Sequence, residues 1–124
     1  MAGKYEPAKR PIQRFPRIKI LTWNRFVRDL LRWLRQVQSH QLGFTIGERG
    51  KRQAWVLPIN VVRRSADGHR RFQGFTRVTP NQLRRRGREV ISSVYFGGEC
   101  FLIRRYRKAL GVVVPHQWRR HRLF

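Results

Sequence analysis

From residue 75 onward the spacing of apolar and polar positions specifies one element after another. A short strand at 75–78 (Phe-Thr-Arg-Val) runs into Thr79-Pro80. Thr79 is a good N-cap, and Pro80 falls at the first helical position, where its missing N–H costs nothing. Leu83, Gly87, Val90, Ile91 and Val94 then recur on one helical face, predicting a helix from 80 to about 95 that Gly97-Gly98 ends. Two short apolar runs, 101–103 and 110–114, flank a basic turn and predict a hairpin, closed by Pro115.

The same order of elements is read upstream. Residues 17–21 alternate as a half-buried strand, and Thr22 can cap a helix over about 23–38. Phe26, Leu30, Trp33, Leu34 and Val37 form one apolar stripe, while Arg25, Arg28, Arg32 and Arg35 fall largely off it as an exposed basic face. A strand at 42–46, a turn at Glu48-Arg49-Gly50-Lys51 and a returning strand at 54–57 follow. Pro58 stops that strand, and a short helical turn is expected at 59–63.

A shift of 57 residues aligns the two halves without a gap. Arg14, Phe15, Thr22, Asn24, Arg28, Val37, Phe44, Ile46, Lys51, Val56, Pro58 and Arg63 each meet an identical residue. Phe26/Leu83, Trp33/Val90, Leu34/Ile91 and Leu57/Val114 keep apolar character where the core is expected. One helix and three strands bury little surface alone, so two such units are expected side by side as an internal pseudo-dimer. The competing reading is two amphipathic units of one plan that happen to share a basic chain. The expected organisation is α+β: a basic extended arm at 1–16, with Pro7, Pro11 and Pro16, then tandem βαββ repeats at 17–63 and 74–124. A basic linker at 64–73 joins them, and a short basic tail follows Pro115.

Charge then narrows the partner. There are 29 Lys+Arg against 6 Asp+Glu, a formal +23, and 24 of the cations are Arg. Self-repulsion at that density favours a polyanionic partner. Arg grips phosphate bidentately and stacks on bases, which Lys does not. Codon bias in a GC-rich genome accounts for Arg over Lys but not for the shortage of acids. Nucleic acid leads; an anionic membrane surface or an acidic protein is the alternative. No apolar run approaches the roughly 18 residues of a membrane helix. Lys4, Lys9 and Arg10 precede no apolar stretch, so no secretory signal is read. A cytoplasmic location is expected, with an organellar matrix left open.

Little else suggests chemistry. Cys100 has no cysteine partner and falls in an apolar strand, which predicts a buried thiol. His40, His69, His116 and His121 are scattered without metal-ligand spacing and read as surface or linker residues. Six dispersed acids do not make an acid/base pair, and Gly97-Gly98 precedes a strand, so it is a turn and not a phosphate loop. No catalytic residue, metal or cofactor is expected. Trp33 reads as core, and Trp55 reads as facing out. Trp118 and Tyr106 are candidates to stack on bases, with packing as the alternative role.

In the second half one run has a specific likeness. Val78-Thr79, Leu83-Arg84, Glu89-Val90, Val94, Gly97-Gly98-Glu99, Phe101, Ile103-Arg104-Arg105, Lys108 and 112–115 (Val-Val-Val-Pro) resemble the N-terminal domain of Phd/YefM-type antitoxins. Through the repeat, the first half resembles it more weakly. The resemblance implies an antiparallel sheet with helices packed on it, dimerising to bind DNA. It also implies nucleic-acid contacts at Arg84 on the helix and Arg105 on the hairpin. The chain departs from the family in three ways. Nine residues follow Pro115, where the family carries a toxin-neutralising tail; Val27 and Glu48 stand where the second half has Arg84 and Arg105; and the charge exceeds that of a small repressor. Unequal halves do not suit a palindromic operator.

The expected function is non-enzymatic nucleic-acid binding, with rRNA in a ribosome or similar ribonucleoprotein favoured over DNA and neighbouring proteins of that assembly as further partners. A DNA-binding regulator of the Phd/YefM type without the toxin-binding tail is the alternative, and a protein-interaction scaffold is a third. The candidate contacts are Arg25, Arg28, Arg32 and Arg35 on the first helix, and Arg84, Arg85, Arg86 and Arg88 on the second. Arg104, Arg105, Arg107 and Lys108 at the hairpin join them, with Arg119, Arg120 and Arg122 in the tail and Lys4, Lys9, Arg10 and Arg14 in the arm.

Overall fold

A computed structural model describes residues 20–41, 43–62 and 72–118. Among these residues the order is α1 (Trp23–Arg28), α2 (Leu30–His40), β1 (Phe44–Glu48), β2 (Lys51–Leu57), a 3-10 turn (Ile59–Val61), β3 (Thr76–Val78), α3 (Pro80–Arg85), α4 (Gly87–Gly97), β4 (Phe101–Arg105) and β5 (Lys108–Pro115). The class is mixed α+β, around a five-stranded sheet in the order β1-β2-β5-β4-β3. The arm, most of the linker, the start of the first expected strand and the residues after Trp118 lie outside the described residues.

The sheet is mixed, not antiparallel throughout. β3 pairs parallel with β4, while β1–β2, β2–β5 and β4–β5 are antiparallel. The helices α3 and α4 lie between β3 and β4 in the chain and supply the crossover a parallel pair needs. Leu21 makes the matching parallel bridge to Ile46: its N–H donates to the Thr45 carbonyl at 3.0 Å and its carbonyl accepts from the Gly47 N–H at 2.9 Å.

Each expected long helix is two helices. The backbone leaves the helical basin at Asp29 (φ −114°, ψ 39°) and again at Arg86 (φ −121°, ψ 31°). The apolar stripe continues through both breaks, so periodicity did not mark them. Packing explains them: α1 lies against α3, α4 and β1, while α2 lies on β5. A straight rod cannot follow both directions. In the same way α4 crosses the seam onto β2.

Two apolar cores flank the sheet. The helix side gathers Phe26, Leu30, Leu34, Val37, Leu83 and Val94 over Phe44, Ile46, Val56, Phe101, Ile103 and Val113. The far side holds Leu57, Cys100, Leu102, Val112 and Val114 beneath Phe72, Phe75 and Trp118. Phe72 from the expected linker and Trp118 from the expected tail are therefore structural cover, and His116 stacks on Trp55. Strand β5 has to be apolar on both faces, which is why it reads as an unbroken run; Val112, Val113 and Val114 are all fully buried.

The hydrogen-bonding plan recurs at the 57-residue spacing. Phe44↔Val56, Thr45↔Trp55, Ile46↔Ala54, Gly47↔Arg52 and Glu48↔Lys51 have as counterparts Phe101↔Val113, Leu102↔Val112, Ile103↔Gly111, Arg104↔Ala109 and Arg105↔Lys108, including the bulge after Ile46 and after Ile103. Thr22 and Thr79 each cap a helix by accepting, at 3.2 Å, from the N–H three residues on. Gln41 and Gly98 both end a helix in the left-handed region. Val56 and Val113, counterparts of each other, pair across the central β2–β5 seam.

Candidate nucleic-acid interface

The β2–β5 seam brings α1 beside the α3–α4 junction. Between them runs a groove of about 560 Å³. Its walls carry Arg28 from one half and Arg84, Arg85, Arg86 and Arg88 from the other. All five are exposed, as α3 and α4 turn their apolar residues Leu83, Val90 and Val94 to the core. Among the described residues Glu89 is the one acid on the groove walls. Arg84 is steadied by donating from Nη1 to Asn81 Oδ1 at 3.1 Å. Trp23 and Gly87 close the floor. The break at Arg86 turns the arginine run out of helical spacing, which lets consecutive side chains line one opening.

The remaining candidates divide between two smaller recesses. Arg35, Arg105 and Lys108 line one of about 430 Å³ between α2 and the β4–β5 hairpin. Arg104 and Arg107 line another of about 340 Å³, opposite Arg77 and Thr79 at the β3–α3 junction. Arg25 and Arg32 are exposed on the helices away from all three. Arg119, Arg120, Arg122, Lys4, Lys9, Arg10 and Arg14 lie outside the described residues. Arg77 was missed by sequence reasoning. Its signal was the strand alternation that buries Val78 and turns its neighbour outward.

The aromatic candidates separate clearly. Tyr106 is 87% exposed at the hairpin tip. Trp118 is half-buried edge-on against Phe75, with centroids 6.3 Å apart, so it belongs to the far-side core. Trp55 was expected to face out and instead is covered. Its Nε1 donates to the His116 carbonyl at 2.9 Å, and the His116 ring stacks on it at 4.9 Å. Trp33 packs on Phe44 at the margin of the helix-side core, as expected.

His116 was expected as a surface residue, but its half-burial has a consequence for pH. Burial holds its pKa below the ordinary 6.5, and the nearby Arg52 guanidinium adds to the effect. The folded state therefore binds fewer protons than the unfolded chain below pH 6.5. This contribution to stability is complete above that pH and is lost as acid protonates the ring. The melting temperature is expected to fall between pH 7.5 and pH 5, and less steeply in His116→Phe; equal slopes would rule the histidine out as the cause.

No described helix is long and apolar enough to cross a membrane. What fold and surface define together is an α+β domain whose helical face carries a five-arginine groove. Comparison with protein-family models, curated proteins and solved structures finds no match.

Proposed function

We propose that the chain is a non-enzymatic nucleic-acid-binding protein: a structural, rRNA-contacting component of a ribosome or similar ribonucleoprotein. In this reading its two halves form a pseudo-dimer of Phd/YefM-like units. The observation that carries it is the convergence of Arg28, Arg84, Arg85, Arg86 and Arg88 on one groove, in a chain of 29 cations and 6 acids. Among the described residues one acid, Glu89, lines that groove against five guanidiniums, which leaves most of their N–H groups to meet phosphate. The recurrence of strand register and helix caps at 57 residues supports the pseudo-dimer. Val27 opposite Arg84, and Glu48 opposite Arg105, give the halves unlike outer faces. Folded RNA suits that asymmetry better than two equal DNA half-sites.

Filter binding to rRNA fragments and to duplex DNA across salt tests this. On rRNA, log K is expected to fall with log salt by about 0.7–0.9 per phosphate contact. In a lysate at moderate salt the chain is expected to sediment with a ribosomal subunit. A specific duplex that competes where rRNA does not would make the protein a DNA-binding regulator instead.

A further inference from the structure

The tip of the β4–β5 hairpin is built at a conformational disadvantage. Tyr106 (φ 51°) and Arg107 (φ 68°) both occupy the left-handed region that L side chains rarely adopt. The counterpart turn places Arg49 and Gly50 there, with the glycine at the second position. Nothing in the second hairpin's packing requires a tyrosine, since Tyr106 is 87% exposed. Residues held in such conformations cluster where a ligand is met.

The surroundings say which kind of ligand. The Arg105 guanidinium lies 5.1 Å from the centroid of the Tyr106 ring, and Arg104 Nη2 donates to the Arg107 carbonyl at 3.2 Å, bracing the turn. Arg77, Arg104 and Arg107 line the recess of about 340 Å³ beside the ring. That volume is at the lower end of small-ligand sites, which run from ~300 to 1,000 Å³. Its opposite wall is rigid: Thr79 and Gln82 are locked in a reciprocal helix cap, the Thr79 N–H on Gln82 Oε1 at 2.9 Å and the Gln82 N–H on Thr79 Oγ1 at 3.2 Å. An exposed ring among guanidiniums matches a flat, π-faced group that carries an anion.

We propose that this hairpin holds one unstacked nucleotide of a single-stranded RNA segment, its base on Tyr106 and its phosphate among Arg77, Arg104 and Arg107. The inference rests on the nucleic-acid reading above and adds a subsite to it. A duplex keeps its base faces inside the stack, so only a looped-out or single-stranded base reaches the ring. The first hairpin, with Glu48, Arg49 and Gly50, has neither the aromatic ring nor the full set of cations, so the site occurs once among the described residues.

Fluorescence anisotropy with a labelled single-stranded RNA and a labelled RNA duplex, at one ionic strength, tests it. Tyr106→Ala is expected to weaken single-strand binding about 5- to 150-fold, the range for loss of one base stack. Duplex binding should stay within about twofold, and Tyr106→Phe should keep single-strand affinity, since stacking needs the ring and not the hydroxyl. Arg107→Gly is expected to raise the melting temperature while lowering the single-strand salt slope by about 0.7, one phosphate contact. A wild-type chain that binds both RNAs, with Tyr106→Ala weakening neither or both alike, overturns the subsite and leaves the general reading standing. A wild-type chain that binds neither overturns both.

Discussion

Gly87→Leu, which would give the second half the residue the first has at Leu30, is expected to destabilise the domain by about 1–3 kcal/mol. The repeat makes this substitution look harmless. The packing forbids it, because a Cβ at Gly87 would run into the Trp23 indole nitrogen. Trp23 is 6% exposed and tilted against Phe26 at 5.5 Å, so a shift of the indole disturbs that core contact. Helix propensity works the other way, since replacing a mid-helix glycine gains about 1 kcal/mol. Gly87 is the first residue of α4, so less than that is available. Overpacking therefore wins. Trp23→Ala alone should cost about 3–5 kcal/mol through the cavity it leaves. In the double variant the leucine partly fills that cavity, giving a favourable coupling of about 1–3 kcal/mol. Urea unfolding of the four proteins reads each value. A Gly87→Leu midpoint at or above that of the wild type would mean that the indole is not fixed where the structure places it.

Trp23 and Gly87 also mark the limit of what the sequence made legible. Identical residues such as Val37/Val94 and Phe44/Phe101 announced the shared plan, and the apolar stripe placed Phe26, Leu30, Leu34 and Val37 in the core where they are found. The plan does not specify how the halves meet. There the residues are complementary instead of equal: Trp23 faces Gly87, although their sequence counterparts are Pro80 and Leu30. Both helix breaks belong to this level as well, because only the crossing of α2 onto β5 and of α4 onto β2 requires them. Gly111 serves that crossing; a Cβ there would sit 3.2 Å from the Leu34 side chain.

The far side of the sheet could have been anticipated. Leu57, Leu102, Val112 and Val114 alternate with the helix-side residues and need cover of their own. Two of the apolar residues that supply it, Phe72 and Trp118, lie in segments whose basic composition suggested a linker and a tail, while Phe75 opens the expected strand at 75–78. Local composition outweighed the demand of the strands, and that was the error. The arginine groove shows the reverse. The run Arg84-Arg85-Arg86 was conspicuous, but that Arg28 would join it depends on β2 pairing with β5, a contact between distant parts of the chain.

If that groove is the main phosphate track, its charges should count for more than the same number elsewhere. Replacing Arg84, Arg85, Arg86 and Arg88 with glutamine is expected to lower RNA affinity roughly a hundredfold near physiological salt and to reduce the salt slope by about 3. The control removes Arg25, Arg32, Arg49 and Lys51, four exposed cations that line none of the recesses described. It changes net charge by the same amount, from +23 to +19 (23 − 4). Diffuse attraction depends on the total and weakens both variants alike, whereas counterion release depends on which guanidiniums sit against phosphates and weakens the groove variant more. Both variants should melt at or slightly above the wild-type temperature, since each relieves self-repulsion, so lost binding would not come from lost folding. Equal affinity loss and equal salt slopes in the two variants would reduce the groove to one more part of a uniformly cationic surface.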